Sequence, residues 1–164
     1  LAGISNIERD KIACEIRDKS LYGIDAGSNP SIYRIARMNM YLHGDGGSNI
    51  FFADSLDKNL GQVGRSSIED IRQLSELRRV ILNQNVKFDV ILSNPPFSME
   101  YNRSNSEQYQ VLNQYSLAQT RASLMSSVMF LERYKDFVSE KGKILTIIDE
   151  SVLSGSANAA GETD

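Results

Sequence analysis

The chain has 164 residues, 41% apolar and 24% charged, with a formal charge of −3 and an isoelectric point near 5.3. That is one domain's length and an ordinary globular composition, which argues against wholesale disorder and against a free-standing basic nucleic-acid binder. A lone cysteine (Cys14) and a lone histidine (His43) leave no disulfide framework and no Cys- or His-rich metal site, and they fit a reducing, cytoplasmic setting.

Taken in chain order, Ile4, Ile7, Ile12 and Ile16 among charges predict a helix over 4–18, and Leu21 to Asp25 (LYGID) reads as a short strand. Asn29 can cap a second helix that Pro30 opens, because proline's missing N–H is unused at the first helical position. Its apolar face carries Ile32, Ile35, Ala36, Met40 and Tyr41, and His43-Gly44 stops it. Ile50 to Ala53 is a second strand. Ser66 and Glu69 form a candidate capping box for a helix with Ile68, Ile71, Leu74 and Ile81. Phe88 to Leu92 (FDVIL) is nearly all apolar, as expected of a strand buried on both faces. Residues 98–120, rich in Ser, Asn and Gln, read as a long polar loop carrying Tyr101, Tyr109 and Tyr115. A long helix is expected at 122–138, then a buried strand at Lys143 to Ile148 (KILTII), and a flexible tail at 156–164. No apolar run approaches the roughly 18 residues needed to span a bilayer.

Alternating strands and helices imply a parallel α/β sheet, with ligands beyond the carboxyl ends of its strands. Three predicted strand ends carry Asp25, Asp54 and Asn94. The strongest signal is Asn94-Pro95-Pro96-Phe97, directly after FDVILS. Consecutive prolines end a sheet ladder and stiffen the turn, so the Asn94 amide and nearby carbonyls point in fixed directions. If a planar base with an exocyclic amino group entered there, the Asn94 side-chain oxygen and the Pro95 carbonyl could accept its N–H groups. Phe97 could stack on the base. The amino lone pair would then be drawn out of conjugation and exposed to an electrophilic methyl. The plain alternative is an ordinary strand-ending turn with Phe97 in the core.

FDVILSNPPF resembles the catalytic motif of S-adenosylmethionine-dependent amino-methyltransferases. GIDAGSNPSIYRIARMNMYLHGDGGSNIFFADSL is similar to the DNA methylase subunit of type I restriction–modification systems, which makes N6-methyladenine. KGKILTIIDESVLSG resembles that family's later strand and turn, so the likeness spans 21–155. The resemblance implies a Rossmann-like methyltransferase sheet, a partial catalytic domain over 1–155, and adenine-specific DNA methylation with S-adenosylmethionine as cofactor. It casts Asp25 as the acid that accepts the cofactor's ribose hydroxyls. Asp54, with Ser55 and Phe52 nearby, is cast as the acid beside its adenine amino group. Asn94, Pro95, Pro96 and Phe97 become the target-base site, into which adenine is flipped from double-stranded DNA; Asn94 borders the cofactor as well. The implied partners are a separate specificity subunit and a restriction subunit, with no membrane. No metal enters.

The departure from the family pattern is at the start, where Leu1-Ala2-Gly3-Ile4 stands in place of a strand and a glycine-rich cofactor loop. The expectation is a fragment lacking its first, central strand and ending before the family's later strands. Such a chain would have a split sheet and open edges, bind cofactor weakly, be inactive alone, and self-associate. Other residues read plainly. Cys14 is structural and His43 sits at a helix end. Gly44-Asp45-Gly46-Gly47 is a turn, since it follows a helix rather than a strand, and Arg34 and Arg37 lie on a solvated helical face. Residues 98–120 are expected to order around DNA, or else to be simply disordered. RNA or protein amino groups are the alternative methyl acceptors, and a non-catalytic methylase-like scaffold is the other alternative.

Overall fold

The computed structural model describes residues 5–25, 31–44, 49–64 and 67–153. They form a mixed α/β structure in two compact units. Residues up to Ser55 together with Leu60–Leu77 make one, and Leu56–Asn59 with the chain from Arg78 onward make the other.

In the first unit, helix α1 (Asn6–Lys19) opens on a capping box. The Ser5 hydroxyl accepts the Glu8 N–H at 3.3 Å and the Glu8 carboxylate accepts the Ser5 N–H at 3.0 Å. Strand β1 (Gly23–Asp25) pairs in parallel with β2 (Ile50–Phe52), with Asp25 opposite Phe52. Helix α2 (Ser31–Leu42) lies between them in sequence; its expected cap at Asn29-Pro30 falls outside the described residues. The helix stops where expected. Gly44 takes φ +84° and donates its N–H to the Tyr41 carbonyl at 3.0 Å. The Tyr33 ring stacks on Phe52 at 5.3 Å, and its hydroxyl donates to Asp70 of helix α3 (Ile68–Arg78).

The capping box of α3 forms one residue later than the Ser66–Glu69 pairing expected. The Ser67 hydroxyl accepts the Asp70 N–H at 3.2 Å, and the Asp70 carboxylate accepts the Ser67 N–H at 2.9 Å. Asp70 is the better partner because it is buried and also receives Tyr33. Burial opposes its charge, but the Tyr33 and Ser67 bonds outweigh that and hold the carboxyl below its ordinary value. The helix is therefore turned relative to expectation: Leu74 and Leu77 are buried, while Ile68 and Ile71 face outward.

In the second unit the chain makes a π-helical turn (Arg79–Asn83), closed by the Gln84 N–H on the Arg79 carbonyl at 3.0 Å. Strand β3 (Phe88–Ser93) then pairs in parallel with β6 (Val138–Thr146). Their register jumps from Phe88↔Val138 to Val90↔Lys143. Gly142 lies in that irregular stretch: a Cβ there would stand 2.5 Å from Val138 Cγ2 and 2.9 Å from the Phe88 carbonyl oxygen. Gly142→Ala is expected to lower stability by about 1–3 kcal/mol, the usual cost of overpacking. An unchanged urea midpoint would contradict this.

One expectation is corrected here. The strand FDVIL is not buried on both faces, since Val90 and Leu92 are 56% and 76% exposed. Among the described residues only β6 pairs with β3, and α5 (Ser126–Phe137) packs against the pair, while Val90, Leu92 and Leu145 stay exposed. Among the described residues the strands pair as three two-stranded sheets: β1–β2, β3–β6 and an antiparallel pair of β4 (Glu100–Asn102) with β5 (Ser123–Met125).

The third sheet lies within and beside the stretch read as a loop. Residues 98–120 contain β4 (Glu100–Asn102), α4 (Ser106–Leu112) and a 3₁₀ turn at Ser116–Ala118. Strand β5 (Ser123–Met125) follows, and α5 with it accounts for the helix expected from 122. The polar residues of this stretch hold it together. Asn105 caps α4 by accepting the Glu107 and Gln108 N–H groups, and Arg103 donates to the Arg121, Ala118 and Gln119 carbonyls and to Asn113. Tyr101 and Tyr115 are buried with Leu56, Leu112, Leu124 and Met129, so they belong to the core and are not available to DNA. Tyr109 alone of the three stays exposed, with the Arg103 guanidinium 5.5 Å from its ring centre. A last short helix, α6 (Glu150–Leu153), closes the described chain; the expected tail lies outside it.

Candidate active site

The parallel pairing of β1 and β2 brings Asp25 and Asp54 to the same edge. Asp25 ends β1 opposite Phe52, its carbonyl accepts the Ala53 N–H at 3.3 Å, and Asp54 and Ser55 follow directly. All three are half-buried, and they follow the buried Phe51, Phe52 and Ala53 or lie beside them across the pair. Carboxylates are acceptors only, which suits a ribose diol and an exocyclic amino group. The donor set fits the cofactor chemistry expected of it.

Asn94 lies in the other unit, at the carboxyl end of β3. Its side chain is exposed, Pro95 is buried, and Phe97 is 38% exposed rather than in the core. Leu92, Ser93 and Asn94 from this strand end, with Leu145, Thr146 and Ile147 from β6, line an open cavity of about 450 Å³. Its walls are mostly apolar and Asn94 supplies an amide, a composition suited to a flat heteroaromatic ring. Phe97 does not line it.

The turn itself is held from behind. Prolines offer no N–H, so a Pro-Pro turn can be fixed only through its carbonyls and its flanks. The buried Ser126 hydroxyl donates to the Pro96 carbonyl at 2.9 Å, and the Ser126 N–H donates to the Met99 carbonyl at 2.8 Å. On the other flank, the buried Tyr134 hydroxyl donates to Ser93 Oγ at 2.7 Å and lies 3.1 Å from Thr146 Oγ1. Sequence reasoning missed these residues because 12 to 41 positions separate them from their partners, and no local pattern marks them.

The remaining candidates stay outside both groups. Cys14 is exposed on α1, so it fills no core, and His43 is exposed just past α2. Arg34 is less free than a solvated face implies: it donates to the Tyr33 hydroxyl at 3.4 Å and lies 3.8 Å from Asp70. Asp45, Gly46 and Gly47 lie outside the described residues. Among the described residues, no group of three or more His, Cys, Asp and Glu could hold a metal ion, and no helix is long and apolar enough to cross a membrane.

Comparison with protein families finds a match to the model described as N-6 DNA Methylase, over residues 4–162. No curated protein and no solved structure matches the chain.

Proposed function

Because the chain belongs to the N-6 DNA methylase family, we propose that it transfers a methyl group from S-adenosylmethionine to the N6 amino group of adenine in DNA, as the modification subunit of a type I restriction–modification system. The observation that carries this reading is the Asn94-Pro95-Pro96-Phe97 turn at the carboxyl end of β3, beside a cavity of about 450 Å³. Parallel pairing in both units, with helices between the strands, supports a Rossmann-like fold for the domain.

When bound, the cofactor would supply an electrophilic methyl on sulfur. Asp25 would accept its ribose hydroxyls, and Asp54 with Ser55 would hold its adenine amino group. The Asn94 side-chain oxygen and the Pro95 carbonyl accept the N–H groups of the flipped adenine, which turns the nitrogen lone pair out of the ring. The Pro96 carbonyl is engaged by Ser126, which stiffens the site without competing for the base. The methyl that such a cofactor would supply would pass to the amino nitrogen held by Asn94 and Pro95, with the carbon–sulfur bond breaking and one N6 proton leaving for solvent. Chemistry of this kind depends on positioning and needs no covalent nucleophile.

Phe97 stacks on the flipped base in this reading. Phe97→Ala is expected to raise the KM for DNA by roughly 5- to 150-fold, equivalent to the ~1–3 kcal/mol of a base–aromatic stack. Its kcat should change little, and a variant with unaltered DNA KM would remove stacking from the mechanism.

Base readout belongs to a separate specificity subunit, and the acidic net charge of −3 supports that division. By itself the chain is expected to self-associate, because β3 and β6 leave apolar side chains such as Leu92 and Leu145 exposed. The decisive experiment uses the full-length gene product with its co-purifying subunits, labelled S-adenosylmethionine and unmethylated DNA. Label recovered in N6-methyladenine supports the proposal. A folded, cofactor-bound complex that labels RNA or protein but not DNA overturns it.

A further inference from the structure

We infer that helix α5 is the positioning element of the target-base turn, through Tyr134 at one flank and Ser126 at the other. The inference rests on the reading of Asn94 as the group that receives the adenine. Asn94 has no packing of its own to fix it, since its side chain is exposed and the Pro-Pro pair ends the sheet ladder. What holds it lies on either side. Ser93, immediately before Asn94, is bound three ways: Tyr134 donates to its hydroxyl at 2.7 Å, the Ile147 N–H donates to its carbonyl at 3.1 Å, and Thr146 is its partner across the sheet. Beyond Asn94, the Ser126 hydroxyl holds the Pro96 carbonyl at 2.9 Å.

Both donors stand on one rigid rod. Ser126 opens α5, and Tyr134 lies on the order of 12 Å further along it at 1.5 Å per residue. Between them, Met129 is fully buried in the core, and Glu132 is tied to Ser116, Leu117 and Lys58. A helix so anchored cannot slide relative to the turn without breaking core contacts. The two hydroxyls thus transmit the rigidity of the core to a turn that has no N–H groups of its own to hold it at Pro95 and Pro96. The buried hydroxyls are also isolated enough to be removed singly. Tyr134→Phe keeps the ring and its contact with Phe130 at 5.9 Å, and Ser126→Ala removes a single oxygen.

The test uses both variants in the full-length gene product. Misplacement of a reacting group by about 1 Å costs up to roughly 100-fold in rate, so each variant is expected to lower kcat for DNA methylation by about 10- to 100-fold. The affinity for S-adenosylmethionine should stay within about twofold, because the bonds these hydroxyls make, to Ser93, Thr146 and Pro96, involve none of Asp25, Asp54 and Ser55. Amide exchange across residues 93–99 should quicken by roughly three- to tenfold, the equivalent of one lost hydrogen bond. Unchanged kcat, or a loss that follows cofactor affinity and melting temperature in both variants, overturns the inference. If the wild-type protein transfers no methyl to DNA, the functional reading fails, and exchange decides the positioning role by itself. Quickened exchange at 93–99 with normal rates elsewhere sustains the role, and unchanged exchange there ends it.

Discussion

Asn94→Ala is expected to reduce methyl transfer by at least ~10²-fold, the usual consequence of removing one preorganised hydrogen-bonding group from a reacting centre, while leaving cofactor affinity largely unchanged. The argument is geometric. Asn94 follows β3 at the mouth of the cavity, its side chain is exposed, and the turn around it is held through Ser93 and Pro96 rather than through the amide. Truncating the amide therefore removes little packing, and the stability change should stay within about 0.5 kcal/mol, as for surface positions generally. Asn94→Asp keeps the acceptor oxygen, replaces the NH2 with a second oxygen and adds a negative charge, so it should retain more activity than the alanine variant. Single-turnover kinetics with labelled cofactor, beside equilibrium cofactor binding, separates the possibilities. If cofactor binding falls as much as turnover, Asn94 has a structural role, and if turnover survives, the acceptor role is wrong.

This site was legible in the sequence because its signals are local. A strand, an Asn and two prolines are contiguous, and the physics that ends a ladder at Pro95 needs no knowledge of the rest of the chain. The same holds for the stop of α2 at Gly44, where a left-handed φ of +84° is the conformation glycine permits most readily. The acids at the ends of β1 and β2 were legible for a related reason. Parallel strands place their carboxyl ends side by side, and the register of Asp25 opposite Phe52 follows from that pairing.

Residues 98–120 show what local reading cannot reach. Their Ser, Asn and Gln content is what loops contain, because these side chains compete for backbone hydrogen bonds. Here several of them are spent on particular contacts. Gln114 accepts the Lys58 N–H and donates to Asp57, Asn105 caps α4, and Gln119 donates to the Asn113 and Tyr115 carbonyls. Composition cannot distinguish an amide facing water from one that clamps a chain 56 residues away. The exposed face of β3 was missed by the converse error. An apolar run says that a strand can be buried on both sides, but which sides are covered depends on how many strands and helices reach it, and β6 is its only paired neighbour among the described residues.

Glu132 shows how much of the second unit depends on one such long-range contact, and Glu132→Gln is expected to cost about 3 kcal/mol at neutral pH, as an upper limit. Burial works against its charge. The Ser116 and Leu117 N–H groups, the Lys58 ammonium and the Ser116 hydroxyl outweigh burial and pull the carboxyl down from 4.5 to about 2. Lys58 also reaches Asp136 at 3.2 Å and lies 4.7 Å from the Tyr115 ring centre, so Glu132 joins the 3₁₀ turn, α5 and the segment from Leu56 to Asn59. The folded pKa lies below the unfolded one. The stabilisation is therefore fully present above pH ~5 and is lost as the pH falls towards 2, where both states bind the proton. Glutamine offers one acceptor oxygen and turns two N–H donors towards groups that are themselves donors, so it mimics neither the charge nor the geometry. Urea unfolding of wild type and variant from pH 7 to 2 should show a gap that narrows below pH ~4.5 as Glu132 becomes protonated in the unfolded chain. Asp70 also titrates below its ordinary range, but it is common to both proteins, so their difference isolates Glu132. A gap that stays constant with pH would mean that shape, and not the carboxylate's charge, is what Glu132 contributes.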